Sequence, residues 1–200
     1  AIVAGLSFSL SMAGLTVKDL CNRFLTAKQH QLDAKEIAVG TFAEYKRTTD
    51  RLVAAFGGNQ LVDGLMADDF ERLRAGISEV WGPVRLGNEV QRVRTVFKYG
   101  YESGIVTQPV RFGPQFKKPS KSVLRKQRAE QGKKLFTREQ VLALLEVASV
   151  PMRAMVLLAV NAGLGNNDCG SLRMKHLDLK TSWLQFPRPK TGIERRVFLW

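Results

Sequence analysis

Residues 135–179 read LFTREQVLALLEVASVPMRAMVLLAVNAGLGNNDCGSLRMKHLDL. Thr137 followed by Gln140 has the spacing of a capping box, in which the hydroxyl and the amide each satisfy a free backbone N–H. Phe136 is placed to staple against Val141, and Val141, Leu144, Leu145 and Ala148 give that helix its buried face. Pro151 suits the first turn of the next helix. Met152 to Ala162 is apolar almost all round, which predicts a central buried helix. Gly163 ends it, and Asn166 or Asn167 can cap a short third helix. The period then changes. Trp183–Phe186 and Arg195–Trp200 flank a turn at Lys190-Thr191-Gly192 and read as a β-hairpin. The order over 135–200 is helix, helix, short helix, hairpin.

Upstream, residues 15–106 read as a bundle of four amphipathic helices joined by short loops. Thr16 and Asp19 open the first, with Val17, Leu20 and Phe24 on one face. The second runs from Thr41 to Phe56, where Phe42, Tyr45, Thr49, Leu52, Val53 and Phe56 keep helical spacing and Gly57-Gly58 stops it. Asp68 and Glu71 open a third that buries Phe70, Leu73, Ile77 and Val80 and ends at Gly82-Pro83. The fourth, Gly87 to Tyr101, turns Val90, Val93 and Phe97 inward and shows Arg92, Arg94 and Lys98 outside.

Between the two blocks the pattern breaks. Pro109, Pro114 and Pro119, with Gly113 and Gly132, argue against one continuous element. Residues 107–138 carry ten basic side chains and one acidic, whereas 1–106 carry thirteen and twelve. The formal net charge of +13 is therefore concentrated in this stretch. Residues 107–134 read as a basic linker with a short helix around Val123–Ala129. It is either a solvated hinge or a segment that lies along a phosphate backbone.

Two hundred residues, 44% hydrophobic and 24% charged, fit one ordinary domain or two small ones and exclude wholesale disorder. No apolar run reaches the roughly 18 residues of a membrane span. Cys21 and Cys169 fit no metal spacing, so a reduced, cytoplasmic setting is expected, with no metal and no cofactor. The basic excess favours a polyanion, nucleic acid before an anionic membrane. The apolar residues 1–14 are expected to be an unstructured upstream tail. They start at Ala1 without a basic region, and the other end stops inside a strand at Val197-Phe198-Leu199-Trp200; both features suggest a fragment.

From Leu15 to Leu199 the sequence resembles the tyrosine recombinases, or phage integrases. TFAEYKRTTDRLVAAFG (41–57) and LGNEVQRVRTVFKYGYESGIV (86–106) resemble helices of the SAM-like core-binding domain. LFTREQVLALLEVA (135–148) is similar to the first helix of the catalytic domain. MVLLAVNAGLGNNDCGSLRMKHLDL (155–179) lies where the family has its TGLR helix, and PRPKTGIERRVFL (187–199) resembles the hairpin with the catalytic lysine.

The resemblance implies a mainly α fold: a SAM-like helical bundle (15–106), the basic linker (107–134), and the start of an α+β catalytic domain (135–200). It implies strand cleavage by a tyrosine, with arginines and a histidine holding the phosphate oxygens and a lysine protonating the leaving oxygen. Lys190 matches that lysine, and Asp168 the acidic residue three places after the first catalytic arginine. The place of that arginine is Gly165, and the nucleophilic tyrosine would lie beyond Trp200. Tyr45, Tyr99 and Tyr101 all fall in the bundle. The chain is therefore expected to bind DNA without cutting it.

The expected partner is double-stranded DNA, with further copies of the chain on it. In the family the two domains clamp the duplex and the linker spans them. Lys46, Arg47, Arg92, Arg94, Lys98, Lys117, Lys118, Lys121, Arg188 and Lys190 are the candidate DNA contacts. The alternatives are a complete, non-catalytic DNA-binding regulator and a basic RNA-binding protein. Taken alone, Lys190 reads as a solvated turn lysine, Asp168 as a helix cap and His176 as structural.

Overall fold

The computed structural model describes residues 14–132 and 134–200; the upstream tail reading, Gly14 apart, lies outside them. The chain divides into two compact units at Lys133. The first contains α1 (Val17–Asp33), α2 (Val39–Phe56), a 3-10 turn at Val62–Gly64, α3 (Ala67–Val80), α4 (Pro83–Glu102) and α5 (Lys121–Glu130). The second contains α6 (Arg138–Val147), α7 (Val150–Ala162), α8 (Asn166–Ser171) and the strands β1 (Leu177–Asp178), β2 (Trp183–Gln185) and β3 (Arg196–Phe198). The fold is mainly α with one small antiparallel sheet, ordered β1-β2-β3.

The Thr137–Gln140 capping box forms as its spacing predicts, while Thr16 caps its helix from the hydroxyl side alone. The Thr16 hydroxyl accepts the Asp19 N–H, and Thr137 and Gln140 exchange reciprocal bonds. Two boundaries differ from expectation. Pro83 does not only end α3; it starts α4 one turn early, because proline has no N–H to lose at a first helical position. Helix α3 starts at Ala67, where the Asp69 carboxylate takes the Met66 N–H. Val80, expected in the core, is 78% exposed, because α3 turns it away from the bundle in its last turn.

The core of the first unit gathers Val17, Leu20 and Phe24 from α1, Leu52 from α2, Phe70, Leu73 and Ile77 from α3, and Val90, Val93, Val96 and Phe97 from α4. At Gly100 the helices α1 and α4 come so close that a Cβ would stand 2.8 Å from the Leu20 side chain. Residues 107–132, expected as a linker, belong to this unit. Phe112 and Phe116 stack 5.5 Å apart and close on Phe70 at 4.8 and 5.4 Å. Gly113, between them, has φ +73, and any Cβ there would meet Ala67 at 2.8 Å. Arg94 donates to the Phe116 carbonyl at 2.5 Å and covers the Phe112 ring; Arg74 donates to the Lys117 carbonyl. The segment thus runs over the bundle with its aromatic side chains inside and its charges outside. The short helix expected at Val123–Ala129 is α5, capped by Ser120.

The second unit has a smaller core, with Leu164, Leu184 and Phe186 buried and Leu158, Ala162, Cys169, Leu172, Leu177 and Leu199 against them. Three expectations are corrected here. Helix α7 is not central and buried, since Met152 and Val160 are 48% and 56% exposed and no residue of α7 is buried. The face Val141, Leu144, Leu145 and Ala148 of α6 is only half covered, and Phe136 stands 72% exposed rather than stapled. The physical reason is common to all three: α8 and a three-stranded sheet offer too little apolar surface to cover two helices. The hairpin also has a third strand, β1, joined to β2 through a turn in which Asp178 accepts the Lys180 and Thr181 N–H groups. Trp183 packs edge-on against Phe198, 5.5 Å away on the same sheet.

Two outcomes follow from this difference in covering. Amides of α6 and α7 will exchange with deuterium faster than those of α1 and α4, as local opening exposes less buried surface; equal high protection would contradict it. Phe116→Ala will destabilise the first unit by about 3 kcal/mol, read by chemical denaturation, because it empties a fully buried ring position.

Candidate nucleic-acid interface

Six of the thirteen cations of the bundle, Lys46, Arg47, Arg51, Arg72, Arg92 and Lys98, form ion pairs with acids. Glu89 is buried and holds Arg51 and Arg92. Arg92 also reaches Glu44 at 3.0 Å, and Glu44 pairs with Arg47. Arg51 in turn lies over Trp81, which Arg85 covers as well, at 4.2 and 3.8 Å from the ring centre. Lys46 pairs with Asp50 at 2.9 Å and Lys98 with Glu102 at 3.4 Å. Arg92 and Arg94, expected on the outer side of their helix, are half-buried. One ties α4 to α2 and the other ties α4 to Phe116. A helical wheel shows which side a residue is on but not whether a neighbouring carboxylate reaches for it.

The segment 107–132 is different. Arg111, Lys117, Lys118, Lys121, Arg125, Lys126 and Arg128 are exposed, and none makes an ion pair among the described residues. Lys121, Arg125 and Arg128 follow i, i+4, i+7 spacing and share one face of α5, while Leu124 and Gln127 are its less exposed residues. Like charges at this spacing repel, so α5 is held by its Ser120 cap and its packing near Gly82 rather than by its own surface. The result is an unneutralised basic strip on a docked segment.

In the second unit, Arg188 and Lys190 are exposed at the turn between β2 and β3. The turn is closed by the Arg188 N–H to the Ile193 carbonyl at 2.8 Å and the Gly192 N–H to the Arg188 carbonyl at 2.8 Å. Asp168 sits in the first turn of α8 and accepts the Gly165 N–H at 3.3 Å and Arg195 Nη1 at 3.1 Å. Burial pushes the Asp168 carboxyl up. The Gly165 N–H, the Arg195 bond and charge, and the Arg188 charge outweigh that and hold it below the usual carboxylate range. His176 accepts the Arg173 N–H and lies 4.7 Å from the Phe186 ring.

Arg195 is the residue the sequence reading missed. Its side chain is only 19% exposed; Nε donates to the Phe186 carbonyl and the guanidinium lies over the Phe186 ring at 5.6 Å. A signal was present in the alternation of the last strand, where Arg195, Val197 and Leu199 all fall on its less exposed side. An arginine in that set must have a buried partner.

The tyrosines hold packing positions. Tyr45 and Tyr99 meet Phe24 edge-on, Tyr99 Oη donates to the Arg23 carbonyl at 3.3 Å, and Tyr101 is half-exposed at the end of α4. Of the two thiols, burial, with Asp50 adding, pushes Cys21 up to about 12; Cys169 is also raised, by burial and by Asp168. No group of acids, thiols and imidazoles that could hold a metal occurs among the described residues, and no helix there is long and apolar enough to cross a membrane.

With this geometry described, the fold can be compared. It is the fold of integrases solved in complex with DNA. A lambda integrase tetramer bound to a Holliday junction matches with a TM-score of 0.69 and 14% identity, over 94% of this chain and 52% of the integrase chain. A lambda integrase dimer bound to a COC' core site matches at 0.68 and 14%, over 92% and 48%. The integrase of the transposon Tn1549 in complex with circular intermediate DNA matches at 0.63 and 14%, over 94% and 61%. The chain thus spans about half the length of the lambda integrases it matches. No protein-family model matches it, and neither does any curated protein.

Asp168 links the pH behaviour of the second unit to its ion pair. Its carboxyl is depressed in the folded state, so the stabilisation is complete above the unfolded value near 4 and is lost as pH falls through the lower folded value. The urea midpoint of this unit, followed by NMR at Leu184, will drop on going from pH 6 to pH 3. In Asp168→Asn that part of the drop will be missing.

Proposed function

We propose that this chain is a DNA-binding portion of a site-specific tyrosine recombinase, and that it binds duplex DNA without cleaving it. The observation that carries the reading is the contrast in charge pairing: six of the bundle's thirteen cations are tied to carboxylates, while among the described residues none of the seven in 107–132 is, and these lie open on a docked surface. A helical domain has no folding reason to keep seven unpaired cations on one segment, and a phosphate backbone supplies the counter-charge. Lys117, Lys118 and Lys121 are the principal contacts, joined by Arg125 and Arg128. Lys46, Arg47 and Lys98 contribute from the bundle after exchanging their carboxylate partners. Arg92 and Arg94 act by holding the scaffold. Arg188 and Lys190 serve the second unit, with Lys190 in the leaving-oxygen position of the recombinase hairpin and Asp168 supporting α8.

Gly165 leaves the first catalytic arginine position without a side chain, and no tyrosine of the bundle is free of a packing role except Tyr101. Cleavage by this chain alone is therefore not expected. The protein works in the cytoplasm, where DNA is, with further copies of itself assembled along the duplex. Backbone contacts of this kind position a protein and leave sequence choice to base contacts.

The test is fluorescence anisotropy with a labelled duplex between 50 and 300 mM salt. With about six phosphates neutralised, the log–log slope of affinity against salt will be near −5, and Lys117→Gln, Lys118→Gln and Lys121→Gln together will flatten it by about 2.7. Absence of duplex binding at low salt, or tighter binding to structured RNA, defeats the reading. A covalent adduct on a nicked duplex would remove its non-cleaving half.

A further inference from the structure

We infer that Arg195 is a phosphodiester-binding residue, the inward cation of a three-cation site with Arg188 and Lys190; this rests on the nucleic-acid reading above. Among the described residues, Asp168 alone forms an ion pair with any of these three cations, and it does so with Arg195. The same Asp168 oxygen that caps Gly165 takes Arg195 Nη1, so the guanidinium is held beside the start of α8. Among the described residues only Nε and Nη1 have acceptors; Nη2 is shielded from solvent and has none. A guanidinium carries five N–H groups in a planar fork that suits two oxygens of a phosphate, and here most of that fork is unspent.

The surroundings leave room for such a guest. Nothing stands within 4 Å of the place where a Cβ on Gly165 would be, and Gly165 has an extended backbone, φ −85 and ψ 174, that any residue adopts. The glycine therefore marks open space at a residue whose N–H shares the Asp168 oxygen with Arg195. Arg188 brings its charge to Asp168 from the adjoining turn, and Lys190 lies two residues further on. An anion entering here meets two flexible cations from outside and one oriented guanidinium from within. The assignment is to these side chains; α8, at six residues, is too short to contribute a dipole site.

The geometry makes a relocation experiment possible. Arg195→Leu will weaken duplex binding about tenfold and flatten the salt slope by about one phosphate contact. Adding Gly165→Arg to Arg195→Leu returns a guanidinium beside Asp168, into the open space at residue 165, and will restore both affinity and slope. A strut that merely fastens the hairpin to α8 would not be replaced in this way. Unchanged binding by Arg195→Leu, or a folded double variant that fails to recover, overturns the assignment. In the wild-type chain the Arg195 Nε–Hε resonance will move on addition of duplex, whatever the variants' stability; a resonance that stays in place while the duplex binds also overturns it. Loss of duplex binding by the wild-type chain would instead remove the functional reading beneath it.

Discussion

The stacking of Phe112 and Phe116 onto Phe70 is the contact on which the functional surface depends. Those two rings fix the path of a segment whose composition would otherwise keep it in water. Each ring removes apolar area on the order of 150 Å² or more from solvent, several kcal/mol in all. That is enough to hold a short run of chain against its own charge repulsion. Arg94 completes the attachment by capping the Phe116 carbonyl. The cationic side chains then point outward because the aromatic ones point in, and the alternation of roles along 111–121 is the physical basis of the basic strip.

A second organising element is the buried carboxylate of Glu89. An isolated charge at that depth would be costly; two arginines compensate it, and each is tied to something else. Arg92 continues to Glu44 and Arg51 continues to Trp81. The chain of contacts fastens α2 to α4 and at the same time withdraws these arginines from any outside partner. Charge in this protein therefore falls into two populations, one used for cohesion and one displayed. Net charge alone does not separate them.

Much of this was legible in the sequence, and the limits have identifiable causes. The periodic faces of α1 and α4 were clear because Val17, Leu20, Phe24, Val90, Val93 and Phe97 repeat at helical spacing. The caps at Thr16 and Thr137 were clear because their chemistry is local. The docking of 107–132 was hidden: three prolines and seven cations signal an open connector, and only the i, i+4 pair Phe112 and Phe116, beside Val106 and Val110, hinted at an apolar side. The exposure of α7 could not be read from its composition, because an apolar helix announces that it needs covering, not that a cover is present. In the candidate site, a capping Asp168 is legible because Asn166 and Asp168 open a short helix, whereas Arg195 is not, because a charged residue in a strand is ordinarily assigned to solvent.

Gly113 shows what the docking implies for association. A left-handed glycine wedged against Ala67 commits the basic segment to one path before any partner arrives. The loss of chain freedom is thus settled during folding, and under the proposed function a polyanion meets a prearranged template instead of a loose tether. Encounter should accordingly be fast and steered by long-range attraction, and it should show little of the heat-capacity change that accompanies ordering of a disordered arm.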